Sequence, residues 1–301
     1  MRITNNMMAQ RQLDGLSLNM AALEKAQARV STGKRMQSAS DDPTAATQVM
    51  SSDSSLRALE QYRTNVQRAT SSATVEDSVL QQVGDLLTRA KELGLAQAAG
   101  TSTPESRAVA NAEVQQLFQQ VVALGNTKFG NEYLFGGQQS QTQPFTASGA
   151  GATLDYTATA AQGVRPTSIA DGQTLAVGHD GKQLLLDSGV LDSFKQLARA
   201  LDRTSATYGQ AGISSALTSI DAAFTSIQTV VGDLGAKEKQ LEVTQQNIDA
   251  YKTNLTTFKS DLQDVNIETA VTELTNRQMA YQAAMLATSK VMGLNLTDYL
   301  K

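Results

Sequence analysis

Hydrophobic residues recur along this chain at intervals that are typical of long helices. In the C-terminal half, seven consecutive apolar residues are spaced seven apart, and Tyr251, Phe258 and Val265 follow the last three of them at the companion position. A seven-residue repeat with two apolar positions is typical of helices that pack against other helices. We therefore predict one long helix with an apolar line formed by Ile220, Ile227, Leu234, Leu241, Ile248, Leu255 and Leu262.

Both ends of the chain show apolar residues at alternating spacings of three and four. This spacing puts the residues on one helix face and predicts two coiled-coil segments. All nine methionines lie within residues 1–50 and 279–292, as expected for an interface that can repack. From the two stripes we predict an assembly interface formed by Leu13, Leu16, Met20, Leu23, Val30, Val271, Leu274, Tyr281, Met285 and Met292.

The middle of the chain changes in character. Two weaker helical patterns run from Val66 to Ala90 and, after a Thr103 cap, from Val114 to Leu124. Ten of the 21 glycines then fall between residues 126 and 189. The short runs "LDYTAT", "TLAVG" and "KQLLLD" predict strands there, and "GHDGKQ" predicts a hairpin turn. The expected fold is mainly α, with a small β-rich insertion in mid-chain.

The stretch "ARVSTGKRMQSASDDPTAA", residues 28–46, lies between two predicted helices. Gly33 can take the left-handed conformation that ends a helix, where Lys34 and Arg35 would favour the negative helix end. A phosphate-binding loop is a weaker interpretation, because Ala28 stands where its first glycine belongs and Arg35 where its hydroxyl belongs. We predict a turn.

The same stretch predicts the start of the next helix. Asp42 can accept hydrogen bonds from free backbone N–H groups, and Pro43 suits the first helical position because it has no N–H to satisfy. Asp41 and Asp42 therefore fit helix capping better than a pair of catalytic carboxylates. We assign Gly33, Lys34, Arg35, Asp41, Asp42 and Pro43 to a joint between the two helices.

Composition excludes several kinds of chemistry. With 25 basic and 29 acidic residues the net charge is -4, which argues against a nucleic-acid-binding protein. The chain has no cysteine, so disulfides and thiolate sites are excluded. The single histidine, His179, lies in a glycine-rich turn and is expected to be a solvated loop residue. No catalytic, cofactor-binding or metal-binding residues are predicted, and no stretch is apolar enough to insert in a membrane or to serve as a cleaved signal peptide.

Two segments carry a family resemblance. "LEKAQARVSTGKRMQSASDDPTAA" resembles the N-terminal segment of the flagellin superfamily, and "DVNIETAVTELTNRQMAYQAAMLATSKVMGLNLTDYL" resembles its C-terminal segment. Within the superfamily, the Asp-Asp-Pro restart, "NEYLFGGQQSQTQPF" and the ending "MGLNLTDYL" are most similar to the proteins that join the flagellar hook to the filament. Flagellins usually differ after the Asp-Asp pair and end near Leu-Leu-Arg, so a filament subunit is the alternative.

The resemblance implies a structural, non-enzymatic subunit of the bacterial flagellum that templates filament assembly. It implies export without a cleaved signal peptide, through the flagellar type III channel, to a position outside the cell. The implied partners are flagellin, a hook-associated junction protein on the hook side, further copies of the chain in a ring or helical layer, and an export chaperone. A nucleotide-using enzyme built around Gly33 and Lys34, or a non-flagellar coiled-coil adhesin, are the other readings.

The resemblance also implies a division of the chain into five segments. Residues 1–45 and 265–301 would form an inner antiparallel coiled coil, the first of them including the joint. Residues 46–125 and 191–264 would form an outer helical bundle. Residues 126–190 would be the β-rich insertion.

Overall fold

The computed structural model describes residues 2–99, 102–159 and 162–297, with side chains left out at 2–6, 8–9 and 291–297. The described chain is mainly helical, which confirms the predicted fold class. Both predicted mid-chain helices are present, and the heptad line lies in one continuous helix. The helices are α1 (Arg2–Thr32), α2 (Pro43–Ala98), α3 (Pro104–Gly125), α4 (Val190–Leu201), α5 (Gln210–Gln263) and α6 (Ile267–Thr297).

Within the described residues between α3 and α4, six short strands form three separate antiparallel pairs. This small region of antiparallel strands confirms the predicted β-rich insertion in mid-chain. The longest pairing places Phe145 opposite Ala158 and Ser148 opposite Asp155. The pairs are β1 (Lys128–Phe129) with β2 (Glu132–Tyr133), β3 (Phe145–Ser148) with β4 (Asp155–Ala158), and β5 (Thr167–Ala170) with β6 (Gln173–Leu175).

Two local predictions in this region are wrong. The run "KQLLLD" forms a π-helical turn, Lys182–Asp187, and not a strand. Leu184 and Leu185 are both completely buried in this turn, and a short apolar run of this kind fits a buried strand or a buried helical turn. The overlapping run "GHDGKQ" is not the turn of a hairpin, since residues 178–180 form a loop and the rest of the run belongs to the helical turn.

The described chain divides into two compact units. The larger unit is Leu59–Asp249, and the smaller unit combines the residues up to Ala58 with those from Ala250 onward. Helices α2 and α5 each contribute to both. The core of the larger unit contains the first five residues of the predicted heptad line and the predicted stripe of α2. These core residues are Ile220, Ile227, Leu234, Leu241, Ile248, Val66, Ala69, Ala73, Leu80, Val83, Leu87 and Ala90.

The "NEYLFGGQQSQTQPF" element packs through its two phenylalanines, Phe135 and Phe145, which are both completely buried. Asn126, at the end of α3, holds Phe145 by a reciprocal pair of hydrogen bonds. Its amide Nδ2 donates to the Phe145 carbonyl at 2.8 Å, and its Oδ1 accepts the Phe145 N–H at 3.0 Å. Gly137 has φ +57°, and a Cβ there would lie 2.3 Å from the carbonyl oxygen of Gln162, so only glycine fits this turn.

Candidate functional site

The predicted turn and cap are both present between α1 and α2. Gly33 has φ +67°, and its N–H donates to the carbonyl of Arg29 at 2.9 Å, which ends α1 with a left-handed residue. Asp42 accepts the N–H of Ala45 on Oδ1 at 3.0 Å, and α2 begins at Pro43. The local sequence therefore defines where one helix ends and the next begins.

The carboxylate of Asp41 accepts several hydrogen bonds within the turn. Its carboxylate accepts a hydrogen bond from Lys25 Nζ at 2.6 Å and from the backbone N–H groups of Gln37 and Ser38 at 3.1 and 3.3 Å. The Lys25 hydrogen bond and then the two backbone donors lower the pKa of Asp41 to about 2. Sequence reasoning assigned Asp41 to the joint but missed Lys25, which lies 16 residues earlier, in α1.

The turn is also paired with the distant linker between α5 and α6. Val265 donates its N–H to the carbonyl of Gly33 at 2.9 Å, and Arg35 donates its N–H to Gln263 at 2.7 Å. These bonds flank an antiparallel bridge between Lys34 and Asp264. The Gly33–Lys34 pair therefore follows a helix and joins a backbone pairing, unlike a phosphate loop, which follows a strand.

Side chains reinforce this pairing of the two linkers. Arg35 donates from Nη2 to the carbonyl of Leu262 at 3.0 Å and so satisfies an acceptor in the last turn of α5. Met36, Ala45 and Val49 are buried together, and Leu262 packs against them. No pattern in the sequence marked these contacts, because their partners lie more than 200 residues apart.

Replacing the cap should loosen the first turn of α2. We expect Asp42→Ala to cost about 1 kcal/mol, because the Ala45 N–H loses its acceptor. Hydrogen exchange at Ala45 should accelerate about fivefold. Asp42→Asn retains a cap oxygen but removes the charge that faces Arg35 at 3.6 Å, and so should stay close to the parent chain. Equal exchange rates in Asp42→Ala and the parent chain would contradict the cap.

Helices α1 and α6 pair in an antiparallel arrangement. Arg29, near the end of α1, binds Glu273, near the start of α6, with Nη1 and Oε2 3.2 Å apart. The residues of this pair that are buried, among those whose side chains are described, are small: Ala26 on α1, with Ala270 and Thr288 on α6. Small side chains at the contact allow two helices to approach closely.

None of the predicted interface residues whose side chains are described is fully buried, and the side chain of Met292 lies outside the described residues. Four of them, Leu13, Met20, Val271 and Met285, are between 43% and 49% exposed. The half-buried ones are Leu16, Leu23, Val30, Leu274 and Tyr281. The pairing of α1 with α6 therefore leaves large apolar side chains in contact with solvent.

Two further aromatic residues are exposed where α5 enters the smaller unit. Tyr251 is 67% exposed and Phe258 is 46% exposed, although both continue the heptad pattern. Leu262, on the principal line of the same helix, is packed against Met36, Ala45 and Val49. The side chains at the companion heptad position of α5 are thus exposed to solvent in this part of the described chain.

The expectation that His179 is a solvated loop residue is wrong. The residue is only 4% exposed, and its two ring nitrogens each contact a carboxylate. Nδ1 lies 2.6 Å from Glu76 Oε1, and Nε2 lies 2.9 Å from Asp233 Oδ2. A glycine-rich turn suggested exposure, but α2 and α5 supply polar partners that allow the ring to be buried.

Within the described residues, no group of three or more histidine, aspartate or glutamate side chains has an arrangement that could hold a metal ion. None of the described helices combines the length and apolar character needed to cross a membrane.

Comparisons with known proteins agree with the arrangement of the helices. The bacterial flagellin N-terminal helical region matches residues 3–140, and the bacterial flagellin C-terminal helical region matches residues 217–300. The chain is 27% identical to flagellar hook-associated protein 3 of Escherichia coli, over 100% of both chains. It is 25% identical to flagellar hook-associated protein 3 of Salmonella typhimurium, over 98% of both. Curated flagellins match as well.

Solved structures share the fold. A structure described as a putative flagellar hook-associated protein from Vibrio parahaemolyticus superimposes with a TM-score of 0.66 at 19% identity, covering 74% of this chain and 100% of that one. The two flagellin regions together span more than two thirds of the chain, including α1, the joint, α2 and α6. The chain therefore belongs to the bacterial flagellin family.

Proposed function

We propose that this chain is the structural subunit that joins the flagellar hook to the flagellin filament and provides the template on which the filament assembles. The observation that carries this proposal is similarity from end to end: flagellar hook-associated protein 3 aligns with at least 98% of the chain in both curated relatives. Its place would be outside the cell, between a hook-associated protein on the hook side and flagellin on the other. A chaperone would hold it before export.

The proposed assembly surface consists of the exposed apolar side chains of α1 and α6. Burying a large apolar side chain contributes about 1.5 to 3 kcal/mol, so several exposed ones on one helix pair favour contact with neighbouring subunits. Within a ring or helical layer, the segments 1–45 and 265–301 would form the inner coiled coil. The joint would connect this coil to α2, and residues 126–190 would form the β-rich insertion.

A filament subunit is the second candidate. The observation in its favour is that the flagellin of Bacillus subtilis is 27% identical to this chain over 100% of both chains. A filament subunit would polymerise without limit, whereas a junction subunit would form one limited layer. The amount of protein per flagellum distinguishes the two.

The proposed function needs no catalysis and no cofactor. Lys34, the centre of the nucleotide-binding alternative, lies in a backbone bridge with Asp264. His179 has a carboxylate on each ring nitrogen and so has no free nitrogen that could act as a general base. A non-flagellar adhesin has no support in the relatives, whose names are flagellar.

Deletion of the gene tests the proposal directly. We expect electron microscopy to show hooks without filaments, and we expect intact flagellin to accumulate in the medium, because the template is missing. Loss of the major secreted flagellin band would instead identify the chain as the filament subunit. Normal filaments and normal motility would contradict both flagellar roles.

A further inference from the structure

The loop between β6 and the π-helical turn is fastened to two helices through one side chain. His179 contacts Glu76 of α2 through Nδ1 at 2.6 Å and Asp233 of α5 through Nε2 at 2.9 Å. The backbone N–H of His179 also donates to Glu76 Oε1, at 3.1 Å. We call His179, Glu76 and Asp233 the histidine clasp.

The chemistry of the contacts specifies the charge of the ring. An ionised carboxylate can only accept hydrogen bonds, and a neutral imidazole carries a proton on only one of its two nitrogens. Both nitrogens of His179 face carboxylate oxygens. Only the protonated ring can donate to both, so loss of the proton would turn a lone pair toward one carboxylate.

Burial makes this charge important for stability. Glu76 is only 1% exposed, and a buried carboxylate without a compensating charge is strongly unfavourable. Asp233 is half exposed and also pairs with Lys237, Oδ2 to Nζ 2.8 Å. The positive charge of protonated His179 therefore compensates mainly the negative charge of the buried Glu76.

Gly178, next to His179, leaves space for the Glu76 carboxylate. A Cβ at that position would lie 3.1 Å from Glu76 Oε2, so the glycine lets the carboxylate approach the loop closely. On the other side of the loop, Asp180 accepts the N–H groups of Gly163 and Gln183, both at 2.7 Å. The segment that carries His179 thus links the strand region to α2 and α5.

We propose that the histidine clasp is a proton-dependent fastening of the β-rich insertion to helices α2 and α5, closed while His179 is protonated and weakened as the pH rises. This device is independent of the proposed role in the flagellum. It concerns only residues of the larger unit.

The surroundings of the ring both raise and lower the pKa of His179. Burial by itself lowers the pKa of His179, and the charge of Lys237 lowers it further. The hydrogen bond and charge of Glu76, with the hydrogen bond of Asp233, outweigh these effects and raise the pKa above its ordinary value of 6.5. Glu238 on α5 lies beside this cluster. Its pKa is raised by burial and then by the charges of Asp77 and Glu76 on α2.

His179 forms part of the wall of a cavity of about 450 Å³ between α2 and the insertion. Charged side chains of this wall are Arg68, Glu132 and Arg165, which pair with one another through Glu132. The ring of His179 therefore lies close to this cavity, while its side chain is only 2% exposed.

The direction of the pH effect follows from the raised pKa. A group that binds its proton more tightly in the folded state stabilises that state fully below its unfolded pKa. The stabilisation is lost as the pH rises through the folded pKa. The clasp should therefore be closed below pH 6.5, and its opening should increase above that value.

The experiment is an NMR titration of the imidazole in the full chain, which has only one histidine to assign. We expect a folded-state pKa above 6.5, a lower value in Glu76→Gln, and no change in the control Asp85→Asn, an exposed carboxylate of the same helix. A pKa at or below 6.5, or equal effects of the two variants, would overturn the proposal.

Hydrogen exchange provides a second readout. Protection of residues 176–189, relative to the intrinsic rate at each pH, should fall between pH 6 and pH 8.5 in the parent chain. This pH dependence should be lost in His179→Gln. If His179→Gln fails to fold, the titration of the parent chain still decides the question. An identical pH dependence in both proteins would exclude the clasp.

Discussion

Leu274→Asp is expected to abolish incorporation of the subunit into flagella while leaving the larger unit folded. Leu274 is half-buried on α6, among the exposed apolar residues of the proposed assembly surface. In an assembled layer its carboxylate would lose water without gaining a partner, which costs several kcal/mol in each subunit. Because every subunit of a layer carries the change, the effect on assembly should be close to complete.

Two matched variants separate loss of an apolar contact from the presence of a charge. Asn276→Asp adds the same charge two residues away at an exposed polar position, and Leu274→Met keeps an apolar side chain of similar size. Both should restore filaments when expressed in cells that lack the gene. Filaments are counted by electron microscopy, and the exported variant is measured in the medium. Normal filaments with Leu274→Asp would remove Leu274 from the interface.

Phe145→Ala is expected to destabilise the larger unit by about 3 to 5 kcal/mol, the usual cost of removing a fully buried phenylalanine. The site cannot collapse easily, because the ring lies against the backbone at two glycines. A Cβ at either Gly125 or Gly181 would lie 2.8 Å from ring atoms. The cavity that replaces the ring should therefore persist.

Urea denaturation followed by circular dichroism measures this loss, and hydrogen exchange assigns it to residues 59–249. The control is Phe224→Ala in the same unit, where the side chain is 37% exposed and the expected cost is about 1 kcal/mol. Equal costs for the two substitutions would mean that Phe145 does not support the insertion as its burial indicates.

The sequence determined the helices because helical periodicity and capping depend on residues that are close along the chain. The heptad line, the left-handed Gly33 and the Asp42 cap all appear where the pattern placed them. The family resemblance rested on the same local segments. Short strands were less well predicted, since Leu184 and Leu185 suit a buried strand and a buried helical turn equally.

Only the tertiary structure decided which side chains meet across long distances in the sequence. The pairing of Gly33 with Val265 and the hydrogen bond from Arg35 to Leu262 join linkers from opposite ends of the chain. Burial of His179 depends on Glu76 and Asp233, which are 103 and 54 residues away from it. A local pattern specifies a helix, but burial and protonation depend on the neighbours that folding supplies, and these cannot be identified from spacing along one chain.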